Sequence, residues 1–101
     1  MTAGGEAGEG ASLCALVRGR TQGVNFRQFV YTRARFLRLT GYVSNLDDGQ
    51  TVEVVAEGPR ADLEQLLAYL REGPRSARVE AIDVDWGEAT GRWTDFGFAS
   101  Y

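Results

Sequence analysis

A short polar stretch between two apolar runs carries the residue types best suited to chemistry in this chain. Residues Gly19 to Arg27 follow a strand-like run and open into a helix-like run that begins near Phe26. A loop bounded by Gly19 and Gly23 can aim several backbone N–H groups at one point, and a helix start adds unpaired amides and the positive end of its dipole. Because such features together bind anions, the stretch predicts a phosphate site.

Arg27 places a cation in the first turn of that predicted helix. A positive charge at this end opposes the helix dipole at a cost of about 0.3–1 kcal/mol, and a bound anion would reverse the sign of the effect. The planar guanidinium also offers paired donors that suit a phosphate. Glycine-bounded turns and solvated arginines at helix starts are common, however, and the stretch is neither a Walker loop nor a GxGxxG motif. Spacing alone therefore leaves phosphate binding open.

The composition disfavours several kinds of chemistry. The 101 residues include no histidine and one cysteine, Cys14, so His-based acid–base catalysis, Ser-His-Asp triads and zinc sites are not expected. A disulfide within the chain is impossible, and the expected location is the reducing cytoplasm. Cys14 lies in an apolar strand pattern, where a small buried filler is the ordinary interpretation and a nucleophile the rarer one.

Charge is distributed unevenly along the chain. The net charge is −3, yet no acidic residue occurs from Gly10 to Leu46, a segment that holds six arginines. The first half can therefore carry a positive field that attracts a small anion, whereas the acidic whole argues against a nucleic-acid partner. No apolar run is long enough to span a membrane, and no signal peptide is expected.

Hydrophobic periodicity predicts an α+β fold with the order β-α-β-β-α-β and an extra C-terminal edge strand. Strands are expected at 13–18, 42–46, 51–57, 78–86 and 93–101, and helices at 26–39 and between Gly58-Pro59 and Gly73-Pro74. Asp48-Gly49 indicates a hairpin. This order predicts a ferredoxin-like sandwich, with an antiparallel sheet and two helices on one face. Residues 1–11 are expected to be a disordered tail, and 12–101 one domain.

Asn45 is the second unusual residue, because Asn is depleted in strands. Its amide could hold a water, or it could serve the adjoining turn. Two segments of the chain resemble the two signatures of the acylphosphatases in order and separation. They are Gly19 to Arg27, and Gly41 to Asn45 followed by Gly49 and the 52–58 run. The C-terminal 96–101 segment is also similar to the family's ending, so the resemblance covers about 13–101.

The resemblance implies hydrolysis of the carboxyl–phosphate mixed anhydride of acyl phosphates, without a metal or other cofactor. Arg27 matches the family's phosphate-binding arginine, and Asn45 matches its water-orienting asparagine. Phosphoryl transfer depends mainly on positioning and electrostatics, so arginine and backbone donors can suffice. A phosphate oxygen of the substrate could accept the proton from water. The backbone amides expected to cradle the phosphoryl oxygens belong to Arg20, Thr21, Gln22, Gly23 and Val24.

The chain departs from the family pattern at three positions. Thr21 replaces the usual Val, and the segment from Gly49 to Val52 is one residue longer than usual, which predicts a lengthened hairpin or a bulge. Leu46 stands where some members carry a hydroxyl residue. A non-catalytic acylphosphatase-like binding or maturation module is therefore the alternative. An RNA-binding ferredoxin-like module is less favoured, because the aromatic RNP1 pattern is missing. The expected partners are small-molecule acyl phosphates and inorganic phosphate, with no membrane, and the expected state is a monomer.

Overall fold

The computed structural model describes residues 10–99. Residues 1–9 of the predicted tail and the last two residues of the predicted final strand therefore lie outside the described residues. Strands and helices follow the predicted order: β1 (Ala11–Arg20), α1 (Phe26–Phe36), β2 (Thr40–Asn45), β3 (Thr51–Gly58), α2 (Arg60–Glu72), β4 (Arg78–Glu88) and β5 (Phe96–Phe98).

The five strands form one sheet in the order β4-β1-β3-β2-β5. The first four pair antiparallel, with β1 between β3 and β4, as expected for a ferredoxin-like sheet. The short β5 is the predicted extra edge strand, and it runs parallel to β2. The sheet as a whole is therefore mixed, and the ferredoxin-like prediction is confirmed.

One apolar cluster joins the sheet to the two helices. Alternate residues of β1 are fully buried, as the two-residue period of a strand requires when one face is covered. The buried residues of both helices recur at three- and four-residue spacing and join the same cluster, which places both helices on one face. Its main members are Leu13, Ala15 and Val17 of β1, Phe26, Val30 and Ala34 of α1, and Leu63, Leu66, Leu67 and Leu70 of α2.

Helix α1 ends at Phe36, three residues before the predicted end. Arg38 adopts a left-handed conformation (φ 61°), and the Leu39 N–H donates to the carbonyl of Ala34 at 2.9 Å. This is the Schellman arrangement, here with an arginine at the position that glycine usually fills. Because Leu39 is buried in the core, its packing compensates for the unfavourable backbone of Arg38.

The connection between β2 and β3 spans residues 46–50, and the paired strands beside it contain no bulge. Pairing is regular from Thr40 opposite Glu57 to Asn45 opposite Val52. Both Asp48 carboxylate oxygens accept hydrogen bonds within the connection, Oδ1 from the N–H groups of Gln50 and Thr51, and Oδ2 from the Thr51 hydroxyl. The additional residue is therefore accommodated in the turn, and the register of the strand that carries Asn45 is unaffected.

The outer strand β4 pairs with β1 alone and contains an irregularity. Arg18 lies opposite Ala81 while Gly19 lies opposite Val79, so Glu80 is an extra residue on β4. A Cβ added to Gly19 (φ 135°) would lie 2.2 Å from the carbonyl oxygen of Arg78. Glycine is required there because β4 approaches closely, and not to bind an anion. The acidic residues of β4 are Glu80, Asp83, Asp85 and Glu88.

Glu57 attaches the segment after β4 to the end of β3. Its buried carboxylate accepts hydrogen bonds from the N–H and hydroxyl of Thr90 and from the N–H of Gly91, at 2.8–3.1 Å. Burial raises the pKa of Glu57, but these hydrogen bonds outweigh burial and hold the pKa below its ordinary value. Neither helix of residues 10–99 is long and apolar enough to cross a membrane.

Candidate active site

A cavity of about 500 Å³ opens between the loop after β1, the start of α1 and the ends of β2 and β5. Arg27 is the cation among the residues that line it, and these residues include no carboxylate. A partly enclosed site with this charge favours a small anion. The lining residues are Thr21, Gly23, Asn25, Phe26, Arg27, Gln28, Asn45 and Phe98.

The residues of the predicted phosphate loop differ in whether they line the cavity. Thr21 and Gly23 line the cavity. Arg20 is the exposed last residue of β1, the Gln22 side chain binds the hairpin, and the half-buried Val24 accepts a hydrogen bond from Ser76 on its carbonyl. These three residues are not among those lining the cavity in the described part of the chain.

The loop reaches α1 through two left-handed residues, Gly23 (φ 74°) and Asn25 (φ 63°). Space is not limiting at Gly23, since an added Cβ would meet nothing within 4 Å. Asn25 is the N-cap of α1, but its side chain makes no cap hydrogen bond, and the first helical turn contains no acidic residue. The amides at this helix start are therefore left for another acceptor, such as a phosphate.

Side chains of the loop are hydrogen-bonded to the β2–β3 connection. Gln22 donates from Nε2 to the carbonyl oxygens of Leu46 (2.8 Å) and Thr51 (3.0 Å). The buried Thr21 donates from Oγ1 to the carbonyl oxygen of Gln50 at 3.0 Å. The same carbonyl oxygen accepts a hydrogen bond from the N–H of Gly19 at 3.1 Å. These bonds fix the loop against the connection that follows Asn45.

Asn45 ends β2 on the sheet face that the helices cover, since it alternates in phase with the buried Val43. Its side-chain oxygen Oδ1 is buried and accepts no hydrogen bond from residues 10–99. Leaving such a group unsatisfied costs about 1–3 kcal/mol, so its presence calls for an explanation. Asn45 also lines the cavity, so its side-chain amide lies beside the space in which a polar ligand could bind.

Arg27 is exposed at the cavity, and its guanidinium carbon lies 6.0 Å from the centre of the Phe98 ring. Among residues 10–99 the ion pairs of arginine involve Arg18, Arg35 and Arg60, and none involves Arg27. Its donors are thus free of carboxylate partners in the described part of the chain, and they can serve an anion.

Four residues that line the cavity were not among the predicted site residues: Asn25, Phe26, Gln28 and Phe98. Asn25 and Gln28 flank Arg27 within one helical turn, and Asn is one of the few residues that tolerates the left-handed conformation, so both could have been considered. Phe98 lies two residues after Phe96 in the predicted last strand, and strand alternation predicts that both side chains lie on one face. Phe96 is indeed buried, but Phe98 is 50% exposed at the cavity, a difference that alternation alone does not reveal.

Other chemistry has little support in the described part of the chain. No group of three or more Cys, Asp or Glu side chains among residues 10–99 is arranged to hold a metal ion. Cys14 lies outside the cavity, and burial together with Glu53 and Asp85 raises the pKa of its thiol. A raised pKa disfavours the nucleophilic thiolate.

Comparisons with known proteins agree with this geometry. The family model for acylphosphatase matches residues 13–98. The chain is 57% identical to an acylphosphatase of Thermus thermophilus over 79 residues, which are 78% of this chain and 89% of the relative. It is 47% identical to an acylphosphatase of Salinibacter ruber over 91 residues, 90% of this chain and 95% of that relative.

Solved structures give the same result. The crystal structure of acylphosphatase from Bacillus subtilis superposes with a TM-score of 0.84 at 34% identity, covering 88% of this chain and 98% of that one. The match includes both segments that meet at the cavity, since residues 13–98 contain the loop, α1 and the end of β2. The chain belongs to the acylphosphatase family.

Proposed function

We propose that this chain is an acylphosphatase that hydrolyses acyl phosphates to a carboxylate and inorganic phosphate in the cavity beside Arg27. The observation that carries the proposal is the convergence of two groups that have no partner among residues 10–99: the Arg27 guanidinium, which has no ion-pair partner there and stands at a helix start without a side-chain cap, and the buried Oδ1 of Asn45. The first supplies donors for a phosphoryl group. The second supplies a fixed polar group for a water molecule.

Arg27 binds the phosphoryl oxygens through its guanidinium, assisted by backbone amides of the loop from Arg20 to Val24. Of these residues, Thr21 and Gly23 line the cavity, which supports a contribution from this part of the loop. Charge in the transition state is spread over the equatorial oxygens, where prearranged donors stabilise it without reorganisation. The positive end of the α1 dipole acts in the same direction.

Asn45 orients the attacking water opposite the leaving carboxylate. The water oxygen forms a bond to phosphorus while the bond from phosphorus to the acyl oxygen breaks, and the electron pair leaves with the carboxylate. A phosphate oxygen accepts the water's proton. Because a carboxylate is a good leaving group, the step needs no general acid, which fits a chain without histidine.

Hydrolysis of benzoyl phosphate by the purified chain in EDTA tests this function. Wild type should consume the substrate rapidly. Arg27→Ala should lose on the order of 10²–10³ in kcat/KM, the usual effect of removing one preorganised donor. Arg71→Ala removes an exposed arginine of α2 and should retain wild-type rates. An inactive but folded wild type, or an active Arg27→Ala, would contradict the proposal. Circular dichroism of Arg27→Ala must show the native fold.

We also propose that the chain acts as a cytoplasmic monomer, with acyl phosphate and inorganic phosphate as its partners and without nucleic acid. The single cysteine, Cys14, fits a reducing compartment. Size-exclusion chromatography with light scattering tests the monomer, and a gel-shift titration with single-stranded RNA at moderate salt tests the partner class.

A further inference from the structure

Phe98 exposes a large apolar surface at the mouth of the active-site cavity. Its side chain is 50% exposed, and its ring lines the cavity together with Arg27 and Asn45. Phe36 is the other large exposed apolar residue in the described part of the chain, at the end of α1 and away from the cavity lining. Phosphate binding makes no use of an aromatic ring, so Phe98 has no role in the proposed mechanism so far.

The ring of Phe98 is held in a defined orientation. It stacks on Tyr31 of α1 with 4.7 Å between ring centres and an interplanar angle of 19°. Its backbone pairs with Val43 of β2, and the Ala99 N–H donates to the Val43 carbonyl at 3.0 Å. The binding surface is therefore prearranged, which reduces the entropy lost when a ligand packs on it.

Phe98 also lies beside the groups that perform the chemistry. It is opposite Val43, and Asn45 is two residues further along β2 on the same face of the sheet. The Arg27 guanidinium lies 6.0 Å from the ring centre. A phosphoryl group bound by Arg27 thus has a polar side formed by the loop and an apolar side formed by Phe98.

We propose that the Phe98 ring, supported by Tyr31, binds the acyl substituent of the substrate, and that the site therefore prefers aromatic acyl phosphates to acetyl phosphate. This inference rests on the proposed function, because it assigns a binding surface to the acyl group, the part of the substrate that leaves as carboxylate. An aromatic substituent can stack on the exposed ring edge or face, whereas a methyl group covers little of it.

Substrate preference in Phe98 variants tests the inference. Phe98→Ala should lower kcat/KM for benzoyl phosphate about three- to tenfold, the range expected for one aromatic contact, and change that for acetyl phosphate by less than about twofold. Phe98→Leu, which keeps an apolar side chain on β5, should show a smaller selective loss. Phe36→Ala is the matched control, and it should leave the ratio of kcat/KM for benzoyl phosphate to kcat/KM for acetyl phosphate unchanged.

Binding of phenylphosphonate and methylphosphonate, measured by calorimetry, provides a readout without turnover. Wild type should prefer phenylphosphonate, and Phe98→Ala should lose most of that preference. Equal losses for both substrates, or an unchanged phenylphosphonate preference in Phe98→Ala and Phe98→Leu, would overturn the inference and leave the proposed function intact. If wild type hydrolysed neither substrate, the proposed function would fail and the inference with it, an outcome distinct from hydrolysis of both substrates without an aromatic preference.

Discussion

The side-chain amide of Gln22 donates to the carbonyl oxygen of Leu46 at 2.8 Å and thereby attaches the loop after β1 to the residue that follows Asn45. The same nitrogen donates to the Thr51 carbonyl at 3.0 Å, on the opposite side of the hairpin. Gln22 does not line the cavity itself. Its contribution is to set the distance between the loop proposed to bind phosphate and the strand end that carries Asn45.

Removal of the Gln22 amide should slow catalysis without abolishing the fold. Gln22→Ala breaks both hydrogen bonds, and a displacement of about 1 Å between positioning groups can cost up to 10²-fold. We expect a ten- to hundredfold decrease in kcat, on the order of that estimate. Gln22→Glu presents an acceptor to two carbonyl oxygens and should be at least as slow. Gln65→Ala, an exposed glutamine of α2, serves as control. Wild-type kcat in both Gln22 variants would refute the positioning role.

Asn45→Ala should separate catalysis from stability. The rate should fall on the order of 10²–10³, because the oriented water is lost. Phosphate affinity, measured by ³¹P NMR titration, should stay near wild type. Since the substitution also removes a buried acceptor that has no partner among residues 10–99, the melting temperature should stay equal or rise. A large decrease in melting temperature would show that Asn45 serves the fold and not the substrate.

Thr21→Val should affect stability more than turnover. The variant carries the residue usual in the family and loses the hydrogen bond from Oγ1 to the Gln50 carbonyl. We expect the free energy of unfolding to decrease by about 0.5–1.5 kcal/mol, as measured by urea denaturation. Because the loop would bind phosphate through its backbone, kcat/KM should change by less than a factor of about two. Thr32→Val, on the exposed side of α1, is the comparison.

Stability should be nearly flat around neutral pH and fall in acid. Hydrogen bonds hold the pKa of Glu57 below its ordinary value despite burial. The contribution of such a group is fully present above its unfolded pKa, about 4.3 for Glu, and is lost as pH falls through the lower folded pKa.

The same sign applies to Asp48, whose pKa is lowered mainly by the Thr51 hydroxyl, and to Asp95, whose pKa is lowered mainly by the Phe96 N–H. Urea midpoints measured between pH 7 and pH 3 should therefore decrease below roughly pH 4. Glu57→Gln should reduce that decrease. A midpoint that rises on acidification would contradict the assignment.

Arg27 and Asn45 could be identified from sequence because each violates a local preference. A cation opposes the dipole at a helix start, and Asn is unfavourable in a strand. Such violations concentrate where function requires them. The order of strands and helices was equally accessible, since the two-residue and 3.6-residue periods of the apolar positions follow from burial of one face.

Other features depend on contacts between distant residues and leave no local pattern. The predicted end of α1 lies three residues beyond the observed one, because an arginine, and not a glycine, adopts the left-handed conformation at position 38. The role of Gln22 involves backbone carbonyls, which every residue has. Phe98 alternates like a core residue, and only its position at the end of the sheet edge leaves half of it exposed.

The irregular, acidic strand β4 has a consequence for behaviour at high concentration. As the outer strand next to β1, it offers unpaired backbone groups that could join the β4 of a second molecule. Its extra residue at Glu80 interrupts the flat edge, and Asp83, Asp85 and Glu88 place further carboxylates along it, which disfavours pairing with the acidic β4 of a second molecule. Natural sheets avoid aggregation by these same devices. Neutralising the carboxylates of β4 should therefore promote fibrous or amorphous self-association. The cavity should be unaffected, because it lies near β2 and β5 and β4 forms the opposite edge of the sheet.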